Sequence, residues 1–145
     1  MNSDFKDLLD IFNAKQVKYL IVGGYAVIKY TQPRYTGDID IWIEASAKNA
    51  ENVYTALREF GAPVDTLCVA DFCKEGFFYQ MGLPPCRIDI LMSITGVIFD
   101  QAWNNKTFSK IDGKSYNFIS KEDLISAKKA AGRPKDLADL DSLLK

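Results

Sequence analysis

The stretch GGYAVIKYTQPRYTGDIDIWI, residues 23–43, decides how the chain is read. Its end, Asp38–Ile43, alternates strictly between isoleucine and a polar or aromatic residue, the pattern of a strand with two unlike faces. Side chains two apart on a strand share a face, so Asp38 and Asp40 project together while Ile39 and Ile41 turn to the core. The strand rise puts the two aspartate Cα atoms ~6–7 Å apart. Two such carboxylates can converge on one cation, or on two cations about 4 Å apart. With no cation they repel, and one pKa rises. On its own the pattern is a weak signal and is better read as a strand whose polar face meets water. The beginning of the stretch, Gly23-Gly24, follows the apolar run KYLIV, Lys18–Val22, which reads as a buried strand. A short helix over Tyr25–Tyr30 is expected next, ending before Pro33. Paired glycines let a backbone approach a ligand closely, and a helix start offers unpaired N–H groups to an anion. A tight strand-to-helix turn is the plain alternative.

Outward from this stretch, Ser3 is expected to cap a helix over Asp4–Lys15 with Phe5, Leu8, Leu9 and Phe12 on one stripe. Ser46–Phe60 reads as an amphipathic helix closed by Gly61. Residues 61–76 show no clear period. Phe77–Gln80 and Arg87–Met92 read as strands around a Gly-Leu-Pro-Pro turn, and Ile98–Asn104 as a short helix. Thr107–Ile111 and Ser115–Ile119 flank a hairpin turn at Asp112-Gly113-Lys114. Two helices, Lys121–Ala131 and Lys135–Leu144, are joined at Gly132-Arg133-Pro134. The expected fold is α/β in the α+β sense: a mixed sheet of about five strands with helices packed against it. Residues 1–145 form one domain, with 118–145 a C-terminal helical pair.

Composition narrows the chemistry. The chain of 145 residues has no histidine, which excludes Ser-His-Asp and Cys-His catalysis and every His-containing metal site. What remains is carboxylates, Lys, Arg, Tyr, or a hard metal held by oxygen. Cys68, Cys73 and Cys86 contain no Cys-x-x-Cys pair, so neither a disulfide framework nor a zinc site is expected. No apolar run reaches the ~20 residues needed to cross a bilayer. The acidic start, MNSDFKDLLDIF, is unlike a signal peptide, so a cytoplasmic protein with no membrane partner is expected. Residues 1–105 carry nine basic and thirteen acidic side chains, whereas 106–135 carry eight basic and three acidic. A cationic end facing an anionic body suits a polyanionic ligand between them.

A third carboxylate, Asp89 in Arg87-Ile88-Asp89-Ile90, lies on the polar face of another alternating strand, where Arg87 could neutralise it. The order of an apolar strand, Gly-Gly, 13 intervening residues, Asp-x-Asp and a later hydrophobic-Asp-hydrophobic strand resembles the DNA polymerase β superfamily of nucleotidyltransferases. Arg34-x-Thr36-x-Asp38-x-Asp40 and the ending KEDLISAKKAAGRPKDLADLDSLL are similar to the small AbiEii-like transferases of type IV toxin–antitoxin loci. The resemblance touches residues 18–44, 86–92 and 120–144.

That resemblance implies a palm-like fold and a magnesium-dependent nucleotidyltransferase acting on a nucleoside triphosphate, with Mn²⁺ as a possible substitute. Asp38 and Asp40 would hold two Mg²⁺ ions. Asp89 would be the third carboxylate, beside the attacking hydroxyl. Gly23 and Gly24 would cradle the triphosphate. Arg34 is a candidate for a phosphate contact or a clamp on the acidic strand. Lys128, one turn after Leu124, could reach the phosphates from a buried stem. Arg133 and Lys135 would face the site, with Asp136 capping the last helix or holding Lys135. The acceptor would be an RNA end, a protein hydroxyl or a small molecule, and a cognate toxin or antitoxin a possible partner. A nucleotide-binding module without turnover, or an antitoxin that nucleotidylates its toxin, remain as alternatives. No second substrate-binding domain such as larger relatives carry is expected within these residues.

Overall fold

The structure, a computed structural model, describes residues 1–145. It contains strands β1 (Tyr19–Val22), β2 (Ile39–Ile43), β3 (Phe78–Met81), β4 (Ile88–Leu91), β5 (Thr107–Ile111) and β6 (Lys114–Phe118). The helices are α1 (Ser3–Ala14), α2 (Gly23–Tyr30), α3 (Ala47–Phe60), α4 (Phe99–Asn104), α5 (Lys121–Ala131) and α6 (Pro134–Leu143), with a 3₁₀ turn at Val69–Cys73. All six strands join in one mixed sheet of order β3-β4-β2-β1-β6-β5, one strand more than the expected five or so. β2 runs parallel to β4 and β1 parallel to β6; the other pairs are antiparallel.

The alternation in β2 sorts the sheet into two faces. Ile39, Ile41 and Ile43 have no exposed surface. Tyr19 and Ile21 oppose Ile43 and Ile41 and so share that face, where Tyr19 packs on Phe12 of α1. Tyr79, paired with Ile90, meets Phe72 of the 3₁₀ turn, which in turn meets Tyr54 of α3. This face with α1 and α3 is the main core. The opposite face carries Asp40, Asp89 and Trp42. Trp42 is covered by Phe99 of α4, whose ring lies edge-on at 5.0 Å, while α5 and α6 leave space over the two aspartates. The chain thus buries one face fully and keeps an opening on the other.

Local signals place most boundaries. Asn2, rather than Ser3, caps α1, its side chain accepting from the Asp4 amide at 2.7 Å. Ser46 and Ser120 cap α3 and α5 in the same manner. Asp112 and Gly113 both have positive φ, 53° and 80°, the two-residue hairpin turn whose twist suits antiparallel strands. Arg133 precedes α6, which begins at Pro134, where a missing N–H costs nothing.

Candidate active site

The β2–β4 pairing sets Asp40 directly beside Asp89. In a sheet, registered neighbours sit within about 5 Å and share a face, so the carboxylates meet across the strands as well as along β2. Asp38, at the mouth of β2, accepts from the Arg87 amide at 2.9 Å. The Arg87 guanidinium forks onto Asp89, Nε to Oδ1 at 2.8 Å and Nη2 to Oδ2 at 3.1 Å. The same Nη2 lies 3.6 Å from Oδ2 of Asp38. The neutralising contact open to Arg87 in the sequence is therefore made, and it reaches two carboxylates instead of one. Asp38, Asp40 and Asp89 are gathered in one place without forming a closed three-ligand cage.

Asp40 is the member left short of positive charge. Burial, then the neighbouring charge and hydrogen bond of Asp89, push its carboxyl up to about 6, against weaker opposing pulls from Lys135 and Arg87.

Gly23 and Gly24 form the first turn of α2, immediately after β1. Gly23 has φ of 67°, and a Cβ there would run into the Asp40 carboxylate. A Cβ on Gly24 would stand 2.6 Å from Thr36 Oγ1. Glycine is thus required because the acidic strand and the segment before it lie against this turn, a constraint invisible in a two-residue motif.

Over the acidic floor stands the junction of α5 and α6. Asp136 accepts from the Arg133 backbone N–H at 3.2 Å and from Nε at 2.6 Å and Nη2 at 3.2 Å of its guanidinium. Asp136 thus caps the helix and holds Arg133; the expected partner Lys135 makes no ion pair with it. The Lys128 ammonium, on a side chain only 9% exposed, bonds Asp136 at 3.3 Å and Asp139 at 3.0 Å. Arg34, in the connection between α2 and β2, donates from Nη1 to Asp139 at 3.0 Å. Its partner is the C-terminal helix rather than the acidic strand. Hydrogen bonding to Arg133, stronger than the burial that opposes it, lowers the Asp136 carboxyl to about 2.

Two adjoining cavities open between floor and junction. The first, about 450 Å³, reaches from Gly23 and Asp40 to Leu124, Ala127, Lys128 and Ala131, and its wall is part aliphatic, part polar and charged. The second, about 550 Å³, is almost wholly polar and contains Gly24, Arg34, Asp38, Asp89 and Arg87. Asp40, Leu91, Arg133 and Lys135 line both. Every candidate residue named from the sequence therefore borders one cavity or the other. Asp139 was not singled out there, and Thr36 stood only inside the Arg34-x-Thr36-x-Asp38-x-Asp40 string without a role; the contact of Thr36 with Gly24 and that of Asp139 with Arg34 form only in the folded chain.

A mixed sheet with paired carboxylates on adjacent parallel strands, a glycine turn at the head of a helix and a cationic helix junction opposite defines the nucleotidyltransferase class. Residues 3–144 match the family described as "Nucleotidyltransferase of unknown function (DUF6036)", and the chain belongs to it. Among solved structures it is similar to the lincosamide antibiotic adenylyltransferase LnuA in its lincomycin-bound form, at TM-score 0.58 and 18% identity, covering 100% of this chain and 97% of that one. A Thermotoga maritima protein assigned to the nucleotidyltransferases aligns at TM-score 0.61 and 16% identity, over 97% of this chain and 89% of its own. An antigenic nucleotidyltransferase-like protein from Paracoccidioides brasiliensis aligns at 0.56 and 16%, over 97% and 74%. No curated protein matches the sequence. The particular chain is thus a nucleotidyltransferase of this family. No helix is long and apolar enough to cross a membrane.

Proposed function

We propose that the chain transfers a nucleoside monophosphate from a nucleoside triphosphate to a hydroxyl acceptor, using Mg²⁺ held by Asp38, Asp40 and Asp89. The observation that carries this reading is the electrostatic mismatch at the floor. A carboxyl pushed up to about 6 beside a second carboxylate, with lysine and arginine only partly offsetting them, is a donor set suited to a hard cation. Oxygen-only ligation also agrees with a chain that has no histidine. When bound, Mg²⁺ or Mn²⁺ supplies the positive charge that offsets charge growing on the α-phosphoryl oxygens and favours the ionised form of the attacking hydroxyl.

The protein's own groups divide the remaining work. The N–H groups at the head of α2 receive phosphate oxygens, helped by the helix dipole. Arg133 and Lys135 face the polyphosphate from the opposite wall. The nucleoside occupies the cavity beneath α5, against its apolar side of Leu91, Leu124 and Ala127. The acceptor occupies the polar cavity, the one bordered by Asp89. The acceptor oxygen forms its bond to the α-phosphorus, the bond to the β-phosphate oxygen breaks, and pyrophosphate leaves. Asp89 takes the proton from the hydroxyl, which requires Arg87 to release it.

LnuA, an antibiotic adenylyltransferase bound to lincomycin, supports a small-molecule acceptor. The cationic α5–α6 junction is also compatible with an RNA end or a protein hydroxyl on a cognate toxin or antitoxin. Incubating the protein with each α-³²P nucleotide, Mg²⁺ and total cell extract, then separating RNA, protein and small molecules, tests the reading. Label is expected in one class only, and label in none with all four nucleotides overturns the activity.

A further inference from the structure

The ion cluster at the α5–α6 junction is more than a clasp between two helices. Asp136 and Asp139 are 1% and 3% exposed, and they lie three residues apart on α6, hence on neighbouring positions of one helix face. Each carboxylate shares the buried Lys128 ammonium and also holds one arginine. Those two arginines reach outward: the Arg34 side chain is 47% exposed and that of Arg133 68%. Both border the polar cavity, although Arg34 is 105 residues from its partner in the sequence.

A cluster built only for stability would not take this form. Burying two carboxylates is costly, and an aliphatic contact of similar volume often serves as well or better. An ion pair with a half-exposed arginine adds little by itself. What such a pair does achieve is to fix a long side chain that otherwise samples many rotamers. Arg34 gives only Nη1 to Asp139, and Arg133 gives Nε and Nη2 to Asp136. A guanidinium has five N–H donors, so each keeps several for a ligand.

We propose that Asp139 and Asp136 are positioning residues that hold Arg34 and Arg133, one each, in the geometry that receives a polyphosphate, with Lys128 as their common counter-charge. Fixing the arginines beforehand removes an ordering cost that binding would otherwise carry. The polyphosphate part rests on the proposed function; the positioning part does not, and the two can be tested apart.

The first measurement needs no nucleotide. Phenylglyoxal modification followed by peptide mapping reads the freedom of each arginine. Asp139→Asn keeps the shape of the side chain and should speed modification of Arg34 severalfold while leaving Arg133 unchanged. Asp136→Asn should do the reverse. Equal acceleration of both arginines in both variants would mean a general loosening of the helix pair and would overturn the proposal, as would no acceleration at all. Should either Asn variant fail to fold, Asp139→Glu and Asp136→Glu keep the charge but displace it, and the same one-to-one pattern is expected of them.

The second measurement is the Mg²⁺-dependent affinity for the α,β-methylene analogue of each nucleotide. Each Asn variant should weaken it about tenfold, the effect of one charged hydrogen bond. Asp139→Asn combined with Arg34→Gln should be no weaker than Arg34→Gln alone, because the aspartate acts through that arginine. Additive losses would overturn the assignment. If the unaltered protein binds none of the analogues, the proposed function fails, and only the arginine-reactivity pattern then decides the positioning role.

Discussion

Asp40 and Asp136 border the same cavity, yet their surroundings drive them in opposite directions. Asp40 is pushed up to about 6, chiefly by burial and then by Asp89. Asp136 is drawn down to about 2, chiefly by the Arg133 hydrogen bonds. The floor of the site is thus short of positive charge, while the junction above it satisfies its own carboxylates and still presents cationic groups. The proposed function sets a cation on the floor and an anion under the junction, the two halves of a metal–polyphosphate ligand. The difference between two identical side chains locates function better than either pattern does alone.

The largest effect should come from removing charge at the floor. Asp38→Asn with Asp40→Asn is expected to lower nucleotide transfer by at least ~10³-fold, because the metal-borne charge stabilisation is worth several kcal/mol. Circular dichroism and melting should show an intact fold. Near wild-type labelling by this double variant would end the catalytic assignment. Gly23→Ala should strike the same place through sterics. The added methyl meets the Asp40 carboxylate at a positive φ, a cost of roughly 3 kcal/mol in denaturant unfolding. Pairing it with Asp40→Ala should return part of that loss; an unchanged loss would mean that the glycine serves φ alone.

Joint binding comes next in size. Mg²⁺ and nucleotide together should raise the melting temperature by roughly 5–11 °C at 100 times the dissociation constant, the equivalent of ~2.7 kcal/mol. Either component alone should do much less, since three carboxylates face the triphosphate without an intervening cation. No shift with any of the four nucleotides and Mg²⁺ or Mn²⁺ would contradict nucleotide binding itself.

The smallest effect concerns pH. The folded state raises the Asp40 pKa above its ordinary 3.8, so folding favours the protonated form. Its contribution is most favourable below pH 3.8 and is lost as pH rises through about 6. In EDTA, the melting temperature of the wild type should therefore fall across that window relative to Asp40→Asn. Asp136 has the opposite sign: its contribution is present above 3.8 and is lost as pH falls through about 2. A flat difference between wild type and Asp40→Asn in EDTA would show that the floor is already neutralised.

Much of this arrangement was legible from period and punctuation. The DIDIWI alternation announces both the strand and the paired aspartates, and capping or turn residues mark the starts of α1, α3 and α5, the ends of α3 and α5 and the β5–β6 turn. Residues 61–76 were not legible. Their one regular element, Val69–Cys73, is a single 3₁₀ turn that buries only Phe72, too short to show a period. Nor could the sequence show that Lys128 answers Asp136 and Asp139, or that Arg34 reaches the last helix. The lysine contacts depend on how α5 and α6 fold back on each other at Gly132-Arg133, and the Arg34 contact spans 105 residues of chain. The glycines were read as ligand-facing, and the further reason for them, room for Asp40 and Thr36, appears only once β2 lies beside the α2 turn.

The wall common to both cavities has a consequence in time as well as in space. Asp40, Leu91, Arg133 and Lys135 border the two chambers at once, so under the proposed function donor and acceptor would be resident together. With donor and acceptor side by side, direct transfer needs no side chain to carry the nucleotide between them. Turnover should then be sequential: double-reciprocal plots intersect, and labelled pyrophosphate enters the nucleoside triphosphate only when an acceptor is present. Parallel plots, or exchange without acceptor, would reveal a covalent relay and overturn direct transfer.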